Sequence, residues 1–148
     1  MLSDKVVKFC ISMRWWYDDA SPDYALQLQQ LGIDIQSDFS RFYLHAEDGS
    51  TFIQRREELY HIGWFAKNTN YGLAVQSTCE MLRLSSDEYL PLSSFEGESG
   101  YFYNKSTGEV ISLSLGSDMV DFLEGRKKPE WKSFSDFLEH FFELSTNE

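Results

Sequence analysis

The first segment of the chain spaces its apolar residues as a helix does. Within residues 3–17 they recur three or four positions apart, the period of an amphipathic helix. Ser3 or Asp4, at the start of this segment, is of the residue type that caps a helix N-terminus. The sequence therefore predicts a helix here. Its apolar positions are Val6, Phe9, Cys10, Met13, Trp16 and Tyr17.

Two further helices are predicted from their start and stop signals. Ser21 followed by Pro22 is typical of a helix start, and Gly32 suits the left-handed residue that ends one. Ser37 or Asp38 then caps a third helix, which we expect to pack against the core through one apolar face. That face consists of Phe39, Phe42, Tyr43 and Ala46, and Asp48-Gly49 forms the turn that follows.

From Ser50 onward the apolar period changes from that of a helix to that of a strand. In the last candidate strand Ile111, Leu113 and Leu115 share one face, which we expect to meet the core. Asn104–Gly108 ends in glycine and predicts a hairpin loop. The predicted strands are Thr51–Ile53, Leu59–Ile62, Tyr89–Phe95, Gly100–Asn104 and Glu109–Leu115.

The stretch Trp64–Leu84 has the weakest pattern, with a loop predicted at Asn68–Gly72 and a short helix at Ser77–Leu84. Ser117–Glu124 predicts another short helix, capped by Ser117 or Asp118. The closing helix, capped by Ser133 or Ser135, has a wide apolar stripe that indicates core packing. This stripe comprises Trp131, Phe134, Phe137, Leu138 and Phe141.

Together these elements predict one α+β domain over residues 1–148. We expect a mostly antiparallel, twisted sheet with helices packed against it. A chain of 148 residues is long enough to bury a core without disulfides or metals.

Acidic residues are concentrated in one part of the chain. Residues 87–124 hold eight acids and one lysine, and so carry −7 of the net charge of −11. Nucleic acids are bound by clustered lysine and arginine, so this charge disfavours a nucleic-acid partner and favours a basic protein. The alternative is that the acidity serves solubility alone.

The sequence also bears on the compartment. No apolar run approaches the roughly 18 residues that a membrane helix needs. Lysine and arginine interrupt the N-terminal apolar stretch, which therefore does not resemble a signal peptide. We expect a cytoplasmic protein without a membrane partner.

No motif of catalysis or metal binding stands out. His45, His61 and His140 lie in separate predicted elements, and neither they nor Cys10 and Cys79 have zinc-ligand spacing. We therefore predict no metal, no cofactor and no enzymatic activity.

The order of several short motifs resembles the SUKH superfamily, which includes the Smi1/Knr4 proteins and many bacterial immunity proteins. The residues 64–84 match none of its motifs. The matching segments are Leu31-Gly32-Ile33, Asp38–Tyr43 with Asp48-Gly49, Glu58-Leu59, Phe102–Val110 and Ser133–Glu139.

This resemblance implies a SUKH-like fold and an immunity protein that neutralises a cognate toxin, often a nuclease, by direct contact. Such toxins carry positive charge, which an acidic surface would meet. The alternatives are a regulatory scaffold of the Smi1/Knr4 kind, and a small-molecule-binding or enzymatic domain with a sheet pocket lined by Trp64, Tyr71 and Trp131. The contact surface that we predict comprises Asp87, Glu88, Glu96, Glu98, Tyr101 and Tyr103, with Asp118 and Asp121 at its rim.

Overall fold

The computed structural model describes residues 1–95 and 98–144 and has an α+β architecture, as the sequence predicts. None of the helices in these two ranges is long and apolar enough to cross a bilayer. The helices are α1 (Asp4–Ser12), α2 (Pro22–Gln30), α3 (Asp38–His45), α4 (Ile62–Asn68), α5 (Tyr71–Leu82), α6 (Ser117–Leu123) and α7 (Phe134–Phe141). The strands are β1 (Thr51–Gln54), β2 (Glu57–Tyr60), β3 (Tyr89–Pro91), β4 (Ser99–Asn104) and β5 (Val110–Ser114).

Serine caps begin four of the helices. The hydroxyls of Ser3, Ser21, Ser37 and Ser133 each accept a hydrogen bond from the backbone N–H three residues later, at 3.1–3.4 Å. Such a cap contributes about 1 kcal/mol. The predicted starts of α1, α2, α3 and α7 are confirmed, and so is the left-handed conformation of Gly32, at φ +83°.

The strands form two small antiparallel sheets rather than the single sheet that we expected. One pairs β1 with β2, and the other has the order β3-β4-β5. Helix α5 covers the outer edge of β3, where the Tyr71 hydroxyl donates to the Pro91 carbonyl at 2.6 Å and the Cys79 thiol donates to the Tyr89 carbonyl at 3.6 Å. Since that edge is occupied, β2 meets the other sheet only just beyond it, where Tyr60 N–H donates to the Leu92 carbonyl at 2.8 Å.

Two predicted strands are shorter or shifted. The candidate Tyr89–Phe95 ends at Pro91, and Ile62 begins α4 instead of ending a strand. The stretch Trp64–Leu84 is mostly helical, because α4 and α5 together leave only Thr69 and Asn70 between them. The predicted loop at Asn68–Gly72 is therefore wrong in its extent.

A mainly aromatic core lies between α1, α3, α7 and the sheets. Phe134, Phe137, Leu138 and Phe141 are fully buried, which confirms these four residues of the predicted stripe, whereas Trp131 precedes α7 and is only partly buried. A smaller apolar cluster lies under α6, where Met119 packs with residues of β4 and β5.

Strand β5 is covered on both faces. Ile111 and Leu113 lie in the smaller cluster, as predicted for that face, and Val110 on the opposite face is buried in the main core. Leu115 is 45% exposed, because the strand ends before it. The prediction that Leu115 meets the core is wrong.

The N-terminal residues are fastened to α7. The Ser135 hydroxyl donates to the Met1 carbonyl at 3.1 Å and accepts from Ser3 N–H at 3.0 Å. Ser135 N–H in turn donates to the Asp38 carboxylate at 2.9 Å. One serine of α7 thus joins α1 and α3 across more than ninety residues of sequence.

Candidate binding cleft

A cleft of about 710 Å³ opens between the β1–β2 hairpin and the three-stranded sheet. This volume lies within the range of roughly 300–1,000 Å³ that is usual for ligand sites. Its lining is mostly polar and includes five serines. The residues used below to describe it are Ile53, Glu57, Glu58, Ser99, Tyr101 and Lys127.

One wall of the cleft is held to the other by a tyrosine. The Tyr101 hydroxyl, on β4, donates to a Glu57 carboxylate oxygen on β2 at 2.9 Å. Partial burial of Tyr101, together with the hydrogen bond to Glu57 and its charge, raises the pKa of the phenol. Arg55 lies 3.7 Å from Glu57 and 3.3 Å from Glu143, so the hairpin is also joined to the residues after α7.

The far wall is formed by β5 and the loop before α7. Lys127 lies 2.8 Å from Asp118 and also donates to the Ser112 carbonyl, while Ser112 N–H donates to Glu130 at 3.0 Å. Burial raises the pKa of Asp118, but hydrogen bonds from Lys127 and from Ser114 N–H outweigh it and lower that pKa overall. These side chains occupy the outer edge of β5 much as another strand would.

Two non-glycine residues in the left-handed region flank the cleft. Arg55 has φ 59° in the hairpin turn, and Glu98 has φ 66° just before β4. This conformation is costly for residues other than glycine, and such strain is often found at functional sites.

The predicted contact residues fall into separate places. Tyr101 and Asp118 line the cleft, and Glu98 lies at its edge, since it precedes the lining residue Ser99 and its carbonyl accepts from Leu115 N–H at 2.9 Å. Glu96 lies outside the described residues.

Asp87 and Glu88 lie at the opposite end of β4. Glu88 accepts a hydrogen bond from the Asn104 side chain at 3.1 Å. Asn104 ends the strand that Ser99 begins, so roughly 17 Å of extended chain separates the two acidic groups. The predicted surface is therefore not one continuous patch.

Tyr103 is not on the surface. It is only 3% exposed and stacks on Phe39, with ring centroids 4.2 Å apart. Burial accordingly raises the pKa of its phenol. The prediction that Tyr103 contacts a partner is wrong, because its ring fills the core beside α3 and α7.

The acidic rim is partly neutralised within the chain. Arg126 lies 2.8 Å from Asp121 and also pairs with Glu124. Lys127 likewise pairs with Asp118. The basic residues that follow the acidic segment in sequence thus fold back onto it, and the net charge of residues 87–124 overstates its free negative charge.

The three aromatic residues predicted to line a pocket do not share the cleft. Tyr71 is buried, with its hydroxyl on the Pro91 carbonyl, and Trp64 lies on α4 against Phe65. Trp131 packs against Tyr101, with ring centroids 5.8 Å apart. None of the three lines the cleft.

Sequence reasoning missed Glu57, Glu58 and Lys127 as cleft residues. The charged run between two predicted strands was a usable signal, since a short charged run between strands is typical of an exposed hairpin. Lys127 pairs with Asp118, 9 positions away, and Glu57 with Tyr101, 44 positions away, and local patterns do not determine such contacts.

The buried titratable groups elsewhere are engaged in structural contacts. Burial lowers the pKa of His61 to about 4, and its Nδ1 accepts from Trp64 N–H while its Nε2 donates to the Ala46 carbonyl, both at 3.0 Å. Burial raises the pKa of the Cys10 thiol to about 12, and it also raises the pKa of Cys79. Within residues 1–95 and 98–144, no three acidic, histidine or cysteine side chains are grouped so that they could hold a metal ion.

Because its lining is mostly polar and charged, the cleft can form hydrogen bonds and ion pairs with a bound molecule. Comparison of the sequence with models of protein families and with curated proteins finds no match to either. The case for a function depends on this cleft and on the resemblance of the sequence motifs.

Proposed function

We propose that this protein is a SUKH-like immunity protein that binds a cognate toxin and neutralises it by direct contact. The observation that carries the proposal is the cleft itself. It is open, polar and large, and its hydroxyls and carboxylates are suited to recognition.

The motif resemblance supports the choice of an immunity protein among binding proteins. The matching segments follow the end of α2, begin α3 and α7, and lie in β2 and in the β4–β5 hairpin. In that hairpin the Asn104 side chain accepts from Ser106 N–H at 2.8 Å and Thr107 N–H at 3.1 Å, and Gly108 has φ +82°. The motif residues of this hairpin therefore have a structural role in the turn, whereas Glu58, in the matching segment of β2, lines the cleft.

The charge of the chain supports a basic partner such as a nuclease. A net charge of −11 attracts a positively charged toxin and speeds its encounter. Glu58 and Glu98 matter most here, because within residues 1–95 and 98–144 neither carboxylate is engaged in a hydrogen bond or an ion pair. Asp118 contributes less, since Lys127 already pairs with it.

Binding at the cleft also gives a role to Tyr101. Its ring packs on Trp131 and Phe137 while its hydroxyl reaches Glu57 at the cleft. Aromatic residues held in this way provide contact area at low entropic cost. In the proposed complex the acids set the association rate, and contact with the Tyr101 ring slows dissociation.

The test is protection of a cell that carries the toxin encoded immediately upstream of this gene in its native host. Co-expression should restore growth and yield a complex of the two chains. Toxicity that persists with the protein folded and abundant would reject the proposed function.

A charge variant tests the site. Glu98→Lys should slow association with the toxin severalfold at low salt, and less at high salt, because screening weakens the attraction. Asp18→Lys makes the same charge change between α1 and α2, away from the cleft. Equal effects of the two variants at every ionic strength would contradict the placement of the site.

A further inference from the structure

The strands β2 and β4 face each other across a single residue. Leu92 N–H donates to the Tyr101 carbonyl at 2.9 Å, and the Leu92 carbonyl accepts from Tyr60 N–H at 2.8 Å. Leu92 is thus bonded to a strand on each side. Neighbouring strands lie about 4.8 Å apart, so β2 and β4 are about 10 Å apart at this point.

Beyond Leu92 the chain leaves this position for one face of β4, where Phe95 packs against Phe102 with ring centroids 5.9 Å apart. Ser93 and Ser94 turn to line the cleft. A position one strand wide therefore continues from Leu92 into the cleft, between β2 and β4.

The edge of β2 presents its backbone to this position at Glu58. Along a strand of an antiparallel pair, residues whose backbone N–H and carbonyl bond to the partner strand alternate with residues whose N–H and carbonyl point away from it. His61 N–H bonds to Ser50, whereas Tyr60 N–H points to Leu92. With Ile53 opposite Glu58, the alternation directs the N–H and carbonyl of Glu58 away from β1.

The edge of β4 presents its backbone N–H and carbonyl to the same position at Ser99. The Glu98 carbonyl accepts from Leu115 N–H on the side of β5, and the Tyr101 carbonyl accepts from Leu92 N–H on the side of β3. Ser99 pairs with Ser114 in the register, so its N–H and carbonyl point away from β5. Within the part of the chain that the structure describes, the outward N–H and carbonyl groups of Glu58 and Ser99 make no hydrogen bond.

We propose that this position is a strand-insertion slot, in which an extended segment of the partner binds between Glu58 of β2 and Ser99 of β4. The inserted segment donates to and accepts from both backbones and so joins the two sheets. This inference rests on the proposed function, because it gives the mode by which the toxin is held.

The outer edges of β3 and β5 differ from the slot. Side chains of Asp118, Lys127 and Glu130 occupy the outer edge of β5, and α5 occupies that of β3. Proteins commonly block exposed edges in this way to prevent unwanted strand pairing. Open backbone groups inside a cleft are what strand addition by a peptide requires.

The charges around the slot indicate the chemistry of the segment. Glu58 lies at the hairpin wall with a free carboxylate, whereas Glu57, on the opposite face of β2, already pairs with Arg55 and accepts from the Tyr101 hydroxyl. A segment that alternates basic and aliphatic side chains places its basic residues beside Glu58 and its aliphatic residues beside the Tyr101 ring, since alternate residues of a strand face opposite sides. The occupant is thus an extended, basic segment of a protein.

A short acetylated peptide of alternating lysine and valine serves as the probe, so that the test does not depend on knowing the toxin. We expect a dissociation constant below about 1 mM. In amide hydrogen exchange read by NMR, the Glu58 and Ser99 amides should become protected on binding. The Tyr60 and Leu92 amides, already bonded, should be protected throughout.

Two controls separate backbone pairing from charge. The same peptide with alternate backbone nitrogens methylated keeps its charge but loses its donors, and it should bind at least severalfold more weakly. In the protein, Glu58→Pro removes the N–H and should weaken binding about threefold to tenfold, whereas Glu58→Gln keeps it and should show only a salt-dependent loss.

Absence of binding up to about 1 mM, equal binding of the methylated peptide, or binding without protection of Glu58 and Ser99 would each overturn the slot. These outcomes differ from failure of the proposed function. A peptide that inserts while the upstream toxin is neither bound nor neutralised would retain the slot and reject the immunity role.

Discussion

Protonation of His61 should destabilise this protein. The ring is fully buried, caps α4 through Nδ1, and donates through Nε2 to the Ala46 carbonyl. A proton on Nδ1 would place two donors face to face at Trp64 N–H and would put a charge in the core. Both effects oppose the charged form of the imidazole in the folded state.

The magnitude follows from the difference in the pKa of His61 between the two states. Burial lowers this pKa from 6.5 to about 4 on folding, so the unfolded chain takes up the proton first as the pH falls. Stability is unaffected above about pH 6.5 and falls below it, with a total loss of about 3 kcal/mol once the pH is below about 4. Between about pH 7.5 and pH 5 the loss is about 2 kcal/mol.

Urea unfolding at these two pH values, followed by tryptophan fluorescence, measures this loss. His61→Asn is the matched variant, because asparagine accepts a capping hydrogen bond but does not titrate. It should be less stable than the wild type near pH 7.5, since the bond to Ala46 is lost. Its stability should fall less towards pH 5, by about 2 kcal/mol.

The comparison is decisive because other groups titrate equally in both proteins. If wild type and His61→Asn lost the same free energy between the two pH values, His61 would not be a buried, neutral cap. A larger loss in the variant would reject the reasoning as well.

Two further substitution pairs test the packing and the cleft wall. At Gly63 a Cβ would lie 2.8 Å from Cγ of Tyr24, so Gly63→Ala should cost about 1–3 kcal/mol, whereas Gly72→Ala meets open space in α5 and should be neutral or stabilising by up to about 1 kcal/mol. Equal urea midpoints for these two variants would contradict the close contact of α2 with α4. Lys127→Met should cost about 1–3 kcal/mol, because the lysine side chain is only 18% exposed and its ammonium bonds to the edge of β5. Lys67→Met, at a pair whose lysine is 45% exposed, should change stability by less than about 1 kcal/mol, and similar losses at both lysines would show that the β5 edge does not depend on Lys127.

The helices were predictable where their signals are local. A serine, a proline at the next position and a glycine at the end specify α2 without reference to the rest of the chain. The stretch 64–84 has no comparable signal. The cap of α4 is a histidine, and the cap position of α5 makes no side-chain hydrogen bond.

The two tyrosines of β4 show that the alternation of a strand does not predict how deeply a side chain is buried. Tyr101 and Tyr103 are two positions apart and so share a face, which the sequence does indicate. Their depth differs because Tyr103 lies opposite Phe39 and Phe134, while Tyr101 lies nearer the end of the strand, beside the cleft. Periodicity specifies the face of a side chain, and the neighbouring elements determine its burial.

For a related reason, the charge pattern of the sequence did not predict how much of the negative charge is neutralised within the folded chain. The sequence places acids in residues 87–124 and bases in the loop that follows them. The turn after α6 brings Arg126 back to Asp121 and Lys127 back to Asp118. Since such a reversal depends on loop geometry, a count along the chain could not reveal this neutralisation.

The serine of α7 that fastens the N-terminal residues has a consequence for synthesis. The start of α1 is fastened only when α7 is present, because Ser135 binds both Met1 and Ser3. At about 5–20 residues per second, α1 is made roughly 6 to 25 seconds before α7. Throughout that interval the nascent helix cannot reach its final partner. A chaperone that shields an amphipathic helix near the ribosome exit would therefore have its longest opportunity at the beginning of this chain.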